Sequence, residues 1–317
     1  MSIDLQNMYL DEVVNEEGND ILNSSLNGNF PFSKNNKGQS IYTGNEESEV
    51  DRINRQNDYL NKYVITYLDK IFSNYDSPMV LDVGCSDGRN ILLRLKGRSY
   101  CSLLGIDRNH DKIEKANKLF KSCKNTFLCC DINSDNFHHN IVDYLRERGK
   151  QGFDIIHISS VLLHIENPGH VLNLLHSYLS ENGRIFIQDE DDGLNKVFPY
   201  EDSFEDCFYV WDHSLESGDR KMGRKIPYLL EKCGYSDIKV LSSNITSLDF
   251  NGSMKDYFWD LYFNCELWVA NDVSFYDTPD AYERYLKYKS KYLQLRDSYK
   301  KGKYFIMLGV LFITANK

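Results

Sequence analysis

The chain has 317 residues, 41% of them apolar and 13% aromatic, enough for one enlarged domain or two small ones around a substantial core. A net charge of -10 argues against a nucleic-acid partner, which would need a basic face to neutralise phosphates. No apolar run reaches the roughly 18 residues of a membrane span, no basic leader precedes an apolar stretch, and the eight cysteines form no C-x-x-C pair; the expectation is a reduced, cytoplasmic protein with no membrane contact and no metal site.

Residues 1–48 are polar and almost without period, yet carry apolar anchors at Tyr9-Leu10, Phe30-Pro31-Phe32 and Ile41-Tyr42. They read as a tail or as a lid over a site. A helix is expected from Glu49 to Phe72, with Val50, Ile53, Leu60, Val64 and Leu68 near helical spacing. Then comes Val80-Leu81-Asp82-Val83-Gly84-Cys85-Ser86-Asp87-Gly88-Arg89-Asn90. An apolar strand runs into an acid, two glycines follow four apart, and a helix begins. Glycine lets the backbone turn tightly and approach a ligand, and a new helix points free N–H groups at whatever sits there. That is a nucleotide-type cradle at the first strand-to-helix turn of an α/β sheet. It lacks the G-x-G-x-x-G of dinucleotide binders and the G-K-[ST] of phosphate loops.

Two further strands also end in acids: Leu103 to Asp107, and Thr126 to Ile132, which contains Asp131. Between them, Asp111 to Cys123 reads as a helix. Asp107 lies about 20 residues beyond the glycine loop, where a ribose-binding carboxylate is expected. Arg108 follows it, but a reader of a 2′-phosphate would usually replace the acid. A fourth strand, Phe153 to Ser160, leads to His164 and a helix from Val171 to Leu179. His157, mid-strand, reads as core. A fifth strand, Gly183 to Gln188, follows the turn Glu181-Asn182-Gly183.

The fifth strand ends in Gln188-Asp189-Glu190-Asp191-Asp192-Gly193. Ligands of such sheets sit beyond the strands' carboxyl ends, so this run belongs at the rim of a pocket. It reads as a site for a cationic or amine-bearing substrate, as carboxylates for Mg²⁺, or as a water-facing loop. Asp189 and Asp191 share a side if the strand persists. A helical excursion rich in aromatic residues follows from Leu194 to Cys233 and includes Tyr200 and His213. The loop Gly218 to Pro227 offers Arg220 and Arg224 as clamps for a substrate carboxylate, before a helix from Ile226 that ends at Gly234. A sixth strand spans about Ile238 to Leu248. Residues 253–303 read as a helical insertion. Its aromatic run suits core or dimer packing, with a substrate box as the alternative, and a homodimer is one assembly open to the chain. Lys287 to Lys303 is basic but reads as a helix face. The last strand is Tyr304 to Thr314, where Gly309 suggests a bulge.

The glycine loop resembles D-x-G-x-G-x-G, the first motif of the class I, Rossmann-like S-adenosylmethionine (SAM)-dependent methyltransferases. Asp82, Gly84 and Gly88 match, and Ser86 replaces the middle glycine. The similarity spans roughly residues 75–249 and resumes at the last strand. It implies a doubly wound α/β fold with seven mostly parallel strands in the order 3-2-1-4-5-7-6. The last strand would be antiparallel, with helices on both faces. On this reading 1–48 is the tail or lid, 49–252 the SAM-binding core, 253–303 the insertion and 304–317 the last strand of the core. The start Glu49-x-x-Arg52-x-x-Arg55-Gln56 is similar to the entry helix of many small-molecule methyltransferases, which puts Arg55 or Gln56 at the methionine end of the cofactor. The resemblance assigns the cofactor, with product S-adenosylhomocysteine (SAH), to Asp82, Gly84, Ser86, Gly88, Asp107, Arg108, Asp131, Ile132, Ser159 and Ser160. Asp131 would lie beside the adenine amino group and Ile132 against its ring. Asp189, Asp191, Tyr200, His213, Arg220 and Arg224 are the substrate candidates. His164 is the candidate general base, since histidine titrates in the useful range. The implied activity is methylation at O or N of a small molecule or short peptide. Alternatives are methylation of a protein side chain, a SAM- or SAH-binding protein without catalysis, and an NAD-dependent dehydrogenase, which the missing fingerprint disfavours.

Overall fold

The computed structural model describes residues 47–134, 136–201, 204, 218–250, 255, 258, 259, 262, 291 and 293–317. The segment read as tail or lid up to residue 46, His213, and most of the helical insertion with its aromatic run lie outside the described residues.

Chain order is α1 (Glu47–Phe72), β1 (Met79–Val83), α2 (Arg89–Leu95), β2 (Ser102–Asp107), α3 (His110–Phe120), β3 (Asn125–Cys129), α4 (Asn136–Glu147), β4 (Phe153–Ser159), α5 (Pro168–Tyr178), β5 (Leu179–Glu190), β6 (Lys196–Phe198), α6 (Met222–Lys232), β7 (Ser236–Thr246) and β8 (Phe305–Asn316). Local chemistry sets several of these starts. The Asn109 side chain accepts the N–H of Lys112 at the head of α3, and Asn167 caps α5 with Pro168 in the first turn, where its missing N–H costs nothing.

Five strands run parallel in the order β3-β2-β1-β4-β5. β8 enters antiparallel beside β5, and β7 pairs antiparallel with β8 on its other edge. This is the expected seven-strand order, with the expected sixth and seventh strands now β7 and β8. The difference is β6, which pairs with Phe305 to Met307 of β8 just beyond the end of β5. It occupies the start of the segment expected to be a helical excursion.

Side chains alternate between the two faces, as pleating requires. Val80, Ile155, Phe186 and Phe312 join one core with Leu60, Val64 and Leu68 of α1 and with Ile91, Leu92 and Leu95 of α2. Leu81, Ile156, Ile185 and Ile313 join the other core with α4, α5 and α6.

Two local expectations change. The turn at 181–183 is taken up inside β5 as a bulge, because pairing jumps from Phe153↔Leu179 to Ile155↔Arg184. Gly309 sits in unbroken pairing with β7, and on the other edge its N–H donates to Asn195 Oδ1. A Cβ there would strike the side chain of Leu194, so the residue serves close packing rather than a bulge.

Candidate active site

The glycine loop leaves β1 through three left-handed residues, Gly84 (φ 71°), Ser86 (φ 52°) and Gly88 (φ 78°). Gly84 and Cys85 both donate to the carbonyl of Ile106, at 2.8 and 2.9 Å, which ties the loop to β2. Ser86, in the place of the motif's middle glycine, bears a left-handed φ that costs an L-residue about 1–2 kcal/mol. Its N–H is held by Asp107 Oδ2 at 2.8 Å. A Cβ on Gly84 would meet the Val161 side chain, and one on Gly88 would lie 2.7 Å from the Phe127 ring. Gly88 therefore lets α2 close on β3. The loop's N–H groups are partly used internally, since Arg89 donates to Asp87 Oδ1 at 3.3 Å.

A cavity of about 300 Å³ opens beyond the carboxyl ends of β1, β2, β4 and β5, with α1 on one side. Its wall brings together Gln56, Asp82, Gly84, Ser86, Asp107, Arg108, Asp131, Ile132, Ser159, Ser160, His164 and Arg220 from the sequence expectation. Asp107 is braced from both sides: Oδ2 takes Ser86 N–H and Oδ1 takes the N–H of Asn109 at 2.9 Å. Asp131 Oδ1 accepts Asn133 N–H at 2.9 Å. Ser159 Oγ is buried in this wall without a hydrogen-bond partner among the described residues.

Other expected residues lie elsewhere. Neither Arg55 of α1 nor Gly88 reaches the described wall, and Tyr200 is 67% exposed away from it. Parity explains the acidic run. Asp189 shares the β5 face of Ile185 and Ile187, buried on the α6 side, while Glu190 points into the cavity. Burial, then the neighbouring Glu190, pushes the Asp189 carboxyl well above its usual range. Asp191 is gripped by Arg224, with Nη2 to Oδ1 at 2.6 Å. Asp192 is gripped by Arg220 through two bonds, at 2.9 and 3.1 Å. The cations expected to hold a substrate carboxylate thus hold the acidic run itself. Among the carboxylates of that run, Glu190 is left facing the cavity with no basic side chain hydrogen-bonded to it among the described residues. Ser160 Oγ donates to its Oε1 at 2.9 Å, and Oε2 is buried without a hydrogen-bond partner there.

His164 ends a short 3-10 turn, Leu162–His164. Burial, with help from Arg220 and Arg108, takes its pKa down to about 3. It is uncharged at neutral pH and a weak proton acceptor.

Sequence reasoning missed a buried polar floor. His157 Nδ1 lies 2.6 Å from Asp82 Oδ1, and Arg94 Nη1 lies 2.7 Å from His157 Nε2. Arg94 also donates to Asn61 Oδ1 and Gln188 Oε1, at 2.8 and 2.5 Å. The signal was present in two places. Arg94 interrupts the apolar stripe of Ile91, Leu92 and Leu95, and His157 and Gln188 interrupt apolar strands.

The wall fits the cofactor implied by the glycine loop. Five carboxylates (Asp82, Asp107, Asp131, Glu190, Asp192) face three basic side chains (Arg108, Lys112, Arg220). That balance suits a nucleoside carrying net positive charge and not a pyrophosphate. Asp107 has lone pairs left for two ribose hydroxyls, and the glycine backbone leaves room beside it. Among the described residues no group of three or more His, Cys, Asp or Glu side chains could hold a metal ion. Among the same residues no helix is long and apolar enough to cross a membrane.

Comparison with known proteins places a methyltransferase-domain family model on residues 76–234, half of the chain. An uncharacterized protein of Haemophilus influenzae is 27% identical over 120 residues, which is 38% of this chain and 45% of that protein. The match thus spans less than half the length of that relative. Among solved structures, a putative methyltransferase from Bacillus halodurans is 16% identical and covers 80% of this chain and 98% of its own, with a TM-score of 0.46. The plantazolicin methyltransferase BamL, solved with a triazolic desmethylPZN analog and SAH, is 20% identical over 87% of this chain and 92% of its own, with a TM-score of 0.48.

Proposed function

The chain belongs to the methyltransferase-domain family, and on that premise we propose that it takes SAM and transfers its methyl group to oxygen or nitrogen of a small-molecule or short-peptide acceptor. The observation that carries this reading is the braced carboxylate of Asp107, set beside a glycine loop in an acidic cavity at the carboxyl ends of the parallel strands. When bound, SAM supplies a methyl carbon that is already electrophilic. The residues have only to hold, orient and exclude water.

Asp107 is placed to take the ribose hydroxyls, with Asp131 and Ile132 at the base. Arg108 completes that wall, and Ser159 and Ser160 line the cavity from the end of β4, beyond Asp82. Gln56 and Asp82, at the other end of the cavity, are left for the amino-acid portion. Gly84 and Ser86 give backbone clearance between the two ends.

The acceptor end is framed by Ser160, His164, Glu190 and the Asp192–Arg220 pair. With Asp191 and Asp192 neutralised by arginines, Glu190 is the carboxylate of the run left to attract an amine or to accept a hydrogen bond from a hydroxyl. The role of proton acceptor passes from His164, which protonates only near pH 3, to this carboxylate. His164 keeps a role as a neutral hydrogen-bonding group. Methylation of a protein side chain is the second reading, since the cavity opens outward and an exposed amine would meet the same carboxylate. The absence of C-x-x-C spacing in the sequence and six free cysteines among the described residues fit a cytoplasmic setting.

The test is turnover with a panel of amines, alcohols and short peptides. Glu190→Gln is expected to lower kcat with the preferred acceptor by about 10²-fold or more, in the range of a lost general base, and His164→Ala by less. SAM affinity should hold in both. Wild-type turnover with no acceptor on the panel, despite SAM binding, would favour a binding protein. Losses in SAM affinity equal to those in turnover would remove Glu190 from the acceptor side.

A further inference from the structure

The polar floor of the cavity is unusual in its donors. Asp82, His157 and Gln188 lie on neighbouring strands β1, β4 and β5, on the face whose other residues pack an apolar core. Arg94 of α2 and Asn61 of α1 close over them. Exposure is 4% for Asp82, 2% for His157, and 0% for both Arg94 and Gln188. Among the described residues, none of the hydrogen bonds of the Arg94 guanidinium goes to a carboxylate. They run to Asn61, His157 and Gln188, and Asp82 is reached only through the imidazole.

These partners fix the proton on His157. A guanidinium has donors and no acceptor, so Nε2, 2.7 Å from Nη1, must be the accepting nitrogen. The ring proton then sits on Nδ1 and is donated to Asp82 Oδ1 at 2.6 Å. Stability does not call for such a chain, because buried ionic groups can often be replaced by apolar residues of like volume without loss. What the chain does is hold one oxygen of Asp82 with a single defined donor. The carboxylate, which lines the cavity, then has its orientation set from below.

Resting on the function proposed above, we infer that His157 and Arg94 are positioning residues that aim Asp82 at the ammonium group of the cofactor's amino-acid portion. Asp107, Asp131 and Ile132 occupy the nucleoside end. Of the three charged groups on SAM, two are cations, and a carboxylate at the far end selects a cation.

The experiment compares two ligands by calorimetric titration of the full chain: SAH, and 5′-methylthioadenosine, which has the nucleoside and the sulfur but no amino-acid end. His157→Phe is expected to weaken SAH by about tenfold or more, the scale of one charge-assisted hydrogen bond, and to leave 5′-methylthioadenosine within about twofold. His157→Asn, whose amide keeps a donor near the position of Nδ1, is expected to recover most of the SAH affinity. Equal losses for both ligands would mean a merely structural floor and overturn the inference, as would no loss for either. The wild-type protein gives a test independent of variant folding. Nitrogen-15 spectra of the imidazole should show Nδ1 protonated and Nε2 accepting; the opposite tautomer, or an imidazolium, overturns the chain. Wild-type protein that binds neither ligand would sink the proposed function itself, a different outcome from binding both with unaltered preference in the variants.

Discussion

The Asp107 carboxylate accepts Ser86 N–H and Asn109 N–H and still faces the cavity. Its replacement by Ala should weaken SAM by about 1–3 kcal/mol through loss of a charged hydrogen bond, and Asp107→Asn, which keeps one oxygen, by less. Unchanged affinity in the Ala variant, measured by titration, would take Asp107 out of the ribose role. Asp107 was legible in the sequence because its place is set by strand and loop alone, at the carboxyl end of β2 and about 20 residues past the glycines. Glu190 was not. The acidic run names four carboxylates, and which one faces the cavity without an arginine depends on the parity of β5 and on two arginines from the α6 segment. Sequence spacing puts Asp189 and Asp191 on one side without saying which side. Only the packing of Ile185 and Ile187 under α6 shows that this side is away from the cavity. Arg220 and Arg224 misled for the same reason, since their carboxylate partners lie 28 and 33 residues back in the chain.

At the scale of elements, the glycine loop's second glycine is a packing residue. Gly88 caps α2 in the left-handed region with the Phe127 ring of β3 against it. Gly88→Ala should therefore cost about 2–4 kcal/mol, from a strained φ plus overpacking, seen as a lower urea midpoint. A midpoint unchanged from wild type would show that α2 and β3 can shift apart freely. The strands and helices that alternate through β1 to β5 were legible because each carries its own apolar period and ends at an acid or a turn residue. Element ends were less so. α6 begins at Met222, four residues before the expected Ile226, because its apolar positions Met222, Ile226 and Leu230 follow the helical spacing through the glycine-containing segment. β6 is three residues long, too short for any period to show. It exists because β8 runs past the end of β5 and leaves backbone to be paired.

The whole molecule couples its site to its stability through two histidines, the buried His157 and the half-buried His164. Burial lowers the pKa of both His164, to about 3, and His157. Above the unfolded value of about 6.5 neither state carries the proton. As pH falls below that value the unfolded chain protonates first, so His164 loses stability between about 6.5 and 3, and the lowered His157 acts in the same direction. Between pH 7 and 4.5 His164 alone accounts for roughly 2–3 kcal/mol at about 1.4 kcal/mol per unit, and His164→Asn should flatten that part of the urea-midpoint profile. An identical profile in the variant would contradict its neutral state.

The sheet order was legible through the resemblance that the glycine loop carries, and the alternating strands and helices agree with it. The polar floor was not, because Asn61, Arg94, His157 and Gln188 are brought together only when α1 and α2 close on β4 and β5. All of these readings meet in one cavity, and its ligand decides them. Calorimetric titration of the full chain with SAM, SAH and NAD is the most direct test. SAM and SAH should bind in the micromolar range and NAD not at all. Binding of NAD alone, or of none of the three, would overturn the proposed function.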